Sequence, residues 1–375
     1  VQYINLNGAN IVAAMDWDGD GRTDLLGFIG FQGGVFLSQG NFVSAPVDGG
    51  FSILDAMFPA DQDGDGLDDL FYFNSGDYFY SKLHNSPGAV PDLVASISDG
   101  YGNSFNPTYA PTSWSNYSKT GTGSVAFPYQ YYQGPVYVVN QFSATDGIGG
   151  SYTNQFNYTQ MLLNRQRGLT GFQSRTSTDS RNHLTEVQTF RQDFPFTGAL
   201  IGDTVTQQNG KPVSAVSNVY LETTLNSAAG AQRYFPFVQQ STMSRYEVEA
   251  GGAKDGQLIT QVQAQYTYDD YGNIKTSTIQ TTDEDISSPY YLQSHTVATT
   301  NWPTIDTANW CLTLSSETQV AYTTTDGGAP VTRTVTFPSP DTAKCRYNST
   351  IVEPSSAIYA VTKSFGYDSF GNLHT

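Results

Sequence analysis

The sequence predicts an all-β fold, and three observations predict it. Its 25 Tyr, 22 Phe and 36 Gly are residues that suit pleated strands and tight turns. Beyond Pro91 no 3.6-residue apolar stripe is evident. Instead, Thr/Val/Tyr runs alternate with a period of two, as in strands with one solvated face. Near the start, two Asp/Gly loops are followed by short apolar runs that read as buried strands.

The loops come first. One reads Asp16-Trp17-Asp18-Gly19-Asp20-Gly21-Arg22-Thr23-Asp24, and the other Asp61-Gln62-Asp63-Gly64-Asp65-Gly66-Leu67-Asp68-Asp69. They begin 45 residues apart. Carboxylates at positions one, three, five and nine, with a turn glycine at six, suit a hard cation that takes six to eight oxygens at about 2.3–2.6 Å. The predicted ligands of two structural Ca²⁺ ions are Asp16, Asp18, Asp20 and Asp24, and Asp61, Asp63, Asp65 and Asp69. The backbone carbonyls of Arg22 and Leu67 complete the two sets. An EF-hand requires a bidentate Glu at position twelve and flanking helices. Here that position holds Gly27 or Tyr72, and the flanks Leu25–Ile29 and Leu70–Phe73 are strand-like. A metal-free Asp/Gly turn would leave crowded acids repelling one another.

Composition narrows the function. There are 34 acidic and 17 basic residues, a net charge of −17. Two bound Ca²⁺ would bring this to about −13. Such a balance argues against nucleic acid or an anionic membrane surface as partner. No apolar run reaches the roughly 18 residues of a membrane span. The first residues, Val1-Gln2-Tyr3-Ile4, show neither Met nor a signal peptide, and suggest a mature product or an excised fragment. Calcium loops fit an extracellular, secreted setting. Cys311 and Cys345 are the two cysteines; they allow either a disulfide or two unpaired thiols.

Three regions follow. Residues 1–88 are an internal repeat of two units, each a strand, Asp loop, strand, Gly-containing turn and strand. In the first unit the later pieces are Leu25–Ile29, a turn near Gly33-Gly34, and Val35–Leu37. In the second they are Leu70–Phe73, the turn 74–77, and Tyr78–Tyr80. A period near 45 residues suggests propeller blades, though two cannot close a ring of four to eight. Residues 89–197 form a middle β region beyond the boundary at Pro87–Pro91. Residues 198–375 form a hairpin region, with turns at Asn209-Gly210, Gly251-Gly252, Asp255-Gly256 and Asp326–Gly328 and an exposed loop at 282–289. Two segments there share one form: Tyr268-Asp269-Asp270-Tyr271-Gly272-Asn273 and Tyr367-Asp368-Ser369-Phe370-Gly371-Asn372. Ser98-Asp99-Gly100-Tyr101-Gly102-Asn103 is a weaker copy without the Tyr.

The repeated Asp loops with their strands resemble the FG-GAP/VCBS calcium-binding blade repeat. The Y-D-x-aromatic-G-N segments resemble the YD repeat of the Rhs family. Asp92–Asp99, Gly134–Val139, Asp146–Tyr152, Gly168–Phe172 and Thr189–Phe196 resemble the middle region of SpvB/TcB-type toxin proteins, the B component of Tc insecticidal toxins. The resemblance implies a calcium-bearing propeller followed by a sheet of YD hairpins. That sheet spirals into a shell around a toxin, and the propeller docks on a translocating partner. The expectation is a non-catalytic, calcium-stabilised structural fragment, a partial shell. Its partners would be the rest of a larger toxin protein, toxin-complex subunits, or further copies joined through sheet edges. A surface adhesin or glycan-binding module is the alternative.

Catalytic signals are absent from the sequence. The four histidines, His84, His183, His295 and His374, lie far apart. No G-x-S-x-G, P-loop or G-x-G-x-x-G occurs. Cys311, between Trp310 and Leu312, reads as packing rather than as a nucleophile. A glycoside-active enzyme would need an acid pair, yet Glu186, Glu222, Glu247, Glu317 and Glu353 are scattered along solvated strand faces.

Overall fold

Each aspartate loop turns one strand back onto its antiparallel neighbour. The computed structural model describes residues 10–17, 22–29, 32–38, 47–51, 56–73, 79–82, 93–113, 116–119, 125–132, 134, 136–228 and 230–374. Among these residues every regular element is a strand, as the composition predicts. No helix is long and apolar enough to cross a membrane. The chain divides into two compact units, residues 1–182 and 183–375.

In the first unit, β1 (Asn10–Met15) pairs with β2 (Asp24–Ile29), with Met15 opposite Asp24. Then β3 (Gln32–Phe36) and β4 (Val47–Phe51) complete a four-stranded sheet in chain order. The second loop repeats the arrangement. It joins β5 (Ala56–Ala60) to β6 (Asp69–Phe73), with Ala60 opposite Asp69, and β7 (Phe79–Lys82) adds a third strand. Met15, Trp17, Leu26, Val35 and Leu70 bury together, with Ala13 and Leu37 packed against them. Leu70 of the second hairpin thus shares the core of the first sheet. One predicted turn is displaced: Gly33 and Gly34 lie inside β3, paired with Phe28 and Gly27, so the chain reverses before them. Phe28 is buried in that pairing, and Gly33 opposite it carries no side chain. The predicted turn at 74–77 lies outside the described residues.

The unit continues with β8 (Ile97–Ser98), β9 (Ser104–Pro111), β10 (Tyr117–Ser118), β11 (Tyr129–Tyr131), β12 (Tyr137–Thr145), β13 (Ser151–Asn164) and β14 (Gly168–Asp179). Strand β12 lies antiparallel between β9 and β13, and β13 pairs onward with β14. At its other end β13 takes β11 antiparallel and β10 parallel. Same-face aromatics hold these strands in register: Phe142 meets Phe105, Phe156 and Tyr152 with ring centroids 4.6, 5.8 and 6.1 Å away.

The second unit is a meander. Its strands are β15 (Thr185–Phe190), β16 (Leu200–Thr206), β17 (Pro212–Asn226), β18 (Arg233–Tyr246), β19 (Leu258–Tyr268), β20 (Ile274–Asp283), β21 (Ser294–Asp306), β22 (Cys311–Thr324), β23 (Val331–Thr336), β24 (Ser349–Val352) and β25 (Val361–Ser364). Each pairs antiparallel with the next. Asn209-Gly210 forms the predicted turn between β16 and β17, and Gly210 takes a φ of +82°. Buried apolar side chains are few: among the described residues of this unit they are Ala264, Cys311 and Leu314. Ladder hydrogen bonds and cross-strand side-chain pairs therefore carry most of its cohesion.

The YD motifs show how one turn is tied to its neighbours. Asp269 accepts hydrogen bonds from the Tyr271 N–H (2.9 Å), the Asn273 N–H (2.9 Å) and Asn273 Nδ2 (2.8 Å). Asp368 does the same with Phe370 and Asn372, and Asp99 with Tyr101 and Asn103. Those bonds to Asn and backbone N–H groups hold the Asp99 and Asp368 carboxyls below the usual range. The tyrosine has a separate task. The Tyr268 hydroxyl donates to the Val238 carbonyl (3.2 Å), and the Tyr367 hydroxyl to the Tyr347 carbonyl (2.7 Å). Each hydroxyl ties its turn to a chain segment well upstream. Tyr268→Phe is expected to cost about 1 kcal/mol in urea unfolding, the usual value of one such bond; an unchanged midpoint would deny the hydroxyl that role.

The cysteine question resolves as a disulfide. Cys311, at the start of β22, is bonded to Cys345, with Cα atoms 5.2 Å apart.

Candidate cation site

Residues 61–68 bridge β5 and β6, and their backbone folds inward around the acids. Gly64 and Gly66 adopt φ of +77° and +87°, a region open to glycine at little cost. These turns aim successive N–H groups at the carboxylates. Asp61 Oδ1 accepts from the N–H groups of Gly64 (2.7 Å) and Asp65 (3.1 Å), and its Oδ2 from Gly66 (2.9 Å). Asp63 Oδ1 accepts from the Asp65 N–H (3.1 Å), and Asp65 Oδ1 from the Leu67 N–H (2.9 Å). One carboxylate oxygen from each of Asp61, Asp63 and Asp65 lies within 4.8 Å of the others.

The electrostatics follow from that crowding. Burial pushes the Asp65 carboxyl above its ordinary value, and Asp63, Asp61 and Asp69 push the same way against the Leu67 N–H. The loop also acts on β12. Burial, then Asp65, Asp63 and Asp61, raise the Tyr137 phenol to about 12. On the neighbouring β9 end, Ser113 approaches closely: a Cβ on Gly64 would sit 3.2 Å from Ser113 Cβ.

Position nine does something the sequence pattern did not reveal. Asp69 is buried, and its Oδ2 accepts the position-two N–H of Gln62 (2.6 Å). Asp24 is buried likewise, and its Oδ2 accepts the position-two N–H of Trp17 (2.8 Å). Its Oδ1 accepts the Ser38 N–H (2.6 Å). Both residues clasp the two ends of their loops. The signal was present in sequence: this acid alone is followed at once by an apolar strand, Leu25 or Leu70, which carries it inward.

Of the first loop's predicted ligands, Asp16, Arg22 and Asp24 are described. Arg22 is exposed and Asp16 half-buried, while Asp18 and Asp20 lie outside the described residues. The structure therefore brings together Asp61, Asp63 and Asp65, with Leu67 and Asp69 at the loop's return. No ion is present. The donor set is all oxygen and three carboxylates converge, so the residues fit a hard divalent cation. Among the described residues this is the one group of three or more acids, His or Cys so gathered.

Acid-lined hairpin loops ahead of a long hairpin meander define an all-β protein of antiparallel hairpins. Residues 48–194 match the family model described as the insecticide toxin TcdB middle/N-terminal region. The fold is shared with a chain of the Photorhabdus luminescens Tc holotoxin pore, at a TM-score of 0.69 and 13% identity over 91% of this chain. The sequence spans 22% of that chain's length. Both comparisons bear out the likeness to Tc toxin-type proteins. Porin-like proteins of Bacteroides uniformis and Bacteroides vulgatus also match, at 11% and 10% identity. They cover 72% and 59% of this chain and 90% and 95% of theirs. Their TM-scores of 0.25 and 0.20 are too low to indicate a common fold. No curated protein matches the chain.

Proposed function

We propose that this chain is a calcium-stabilised structural part of a secreted toxin-complex protein of the SpvB/TcB type. Its hairpins build the wall that encloses a toxin, and its Asp-loop units are FG-GAP/VCBS blades of a propeller that docks on a translocation partner. It has no catalytic task of its own. The single observation that carries the reading is the second loop: three carboxylates within 4.8 Å, each fixed by backbone N–H groups. The likeness of fold to a Tc holotoxin chain supplies the setting.

Bound there, Ca²⁺ would supply positive charge and a coordination shell, with no redox or acid–base part. Asp61, Asp63 and Asp65 would hold it, with the Leu67 carbonyl and Asp69 beside them. Asp16, Asp18, Asp20, Asp24 and the Arg22 carbonyl would hold a second ion. Native mass spectrometry of the full chain tests this: two Ca²⁺ are expected, one of them lost in Asp63→Asn. A chain that takes up no Ca²⁺ at millimolar concentration would refute the cation reading. Docking is tested separately, by co-purification with the pore-forming subunit of a toxin complex.

A further inference from the structure

The Cys311–Cys345 disulfide joins a fully buried residue to an exposed one. Cys311 is fully buried at the start of β22, while Cys345 is exposed. Cys345 also holds a φ of +50°, a left-handed conformation that disfavours a residue with a Cβ. Lys344 and Arg346 flank it, and an open cavity lined by these residues, Tyr367, Asp368 and Phe370 leads to it.

The segment around Cys345 reaches the last YD hairpin by several routes. Arg346 places its guanidinium over the Tyr367 ring, 4.0 Å from the centroid. The Tyr347 carbonyl accepts the Tyr367 hydroxyl, and the Asn348 carbonyl accepts the Phe365 N–H (2.8 Å). On the other side the segment leans on β21 and β22. The Ser315 N–H donates to the Tyr347 hydroxyl (2.8 Å), and the Thr342 side chain bonds Asp306. Residues 338–348 therefore stand between β22 and the final hairpin, and the disulfide is their covalent tie to β22.

We propose that this disulfide is a thiol-exchange site, and that its reduction loosens residues 338–348 and with them the last YD hairpin. A small thiolate enters through the open cavity, attacks the Cys345 Sγ and forms a mixed disulfide there. The Sγ–Sγ bond to Cys311 breaks, and Cys311 leaves as a thiolate that takes a proton from water. A second thiol then attacks the mixed disulfide. The net change is two external thiols oxidised to one disulfide and one protein disulfide reduced to two thiols. Cys311 leaves into a buried place, where a thiolate is poorly solvated, so exchange is slow. The tie persists in an oxidising exterior and opens in a reducing compartment.

The test is hydrogen exchange of the full chain, with and without prolonged millimolar reduced glutathione. The expected result is reduction of the bond and roughly tenfold faster exchange at the Phe365 and Gly371 amides, with β17 and β18 unchanged. Cys345→Ala, which leaves the buried Cys311 in place, should show the fast pattern without glutathione and no further response to it. A bond that resists glutathione overnight overturns the exchange site. A bond that is reduced while exchange at Phe365 and Gly371 stays slow overturns the loosening.

Discussion

Chelating calcium is expected to lower the unfolding midpoint of the full chain, and Asp61→Asn to remove about half of that loss. A ligand that binds only the folded state at a hundred times its dissociation constant adds about 2.7 kcal/mol per site. Asp61→Asn should abolish the contribution of the second loop while the first remains; adding Asp16→Asn should abolish the rest. Proton linkage gives the same site a second signature. The Asp65 carboxyl is raised in the folded, metal-free protein. Its contribution is therefore fully present below the ordinary carboxylate value and is lost as pH rises through the raised one. In chelator, the midpoint should fall on that account between acid and neutral pH. With Ca²⁺ present the gain should grow over the same range, because the ion needs the deprotonated acid. Melts followed by circular dichroism at several pH values, in calcium and in chelator, measure both effects. A calcium gain that did not change with pH would detach Asp65 from the ion.

Asp24→Ala should behave differently. Its two oxygens accept the N–H groups of Trp17 and Ser38, and Trp17 is buried. Truncation leaves these donors without an acceptor, at about 1–3 kcal/mol for a buried one. The expected loss is about 2–6 kcal/mol by urea unfolding, by the same cost for two donors. Most of it should persist in chelator, because the clasp needs no ion. If the loss vanished in chelator, Asp24 would be a ligand first and a clasp second.

The contrast between Asp61 and Asp24 marks how far the sequence was legible. Spacing picked out the acids of the motif as candidates, because alternate carboxylates and turn glycines suit a hard cation. It could not divide them into those gathered in the loop and those turned inward, because that depends on Leu25 and Leu70 anchoring the next strand. The YD turns were legible for a similar reason: Asp, Gly and Asn act within six residues. The reach of the Tyr268 hydroxyl to Val238 was not, since it depends on the register in which β19 pairs with β18, 30 residues upstream. The same holds for the disulfide, where pairing depends on how the chain between β23 and β24 returns to β22. Gly33-Gly34 misled because glycine serves both turns and strands that need space opposite a large ring.

One consequence of the meander concerns synthesis. In β15 to β25 every strand pairs with the one made just before it. No pairing within that stretch waits for a distant partner, so loop closure stays short at each step. The sheet can zip from its first strand onward as the chain emerges. Each new hairpin covers the edge left open by the last, which shortens the time any edge is available to another molecule.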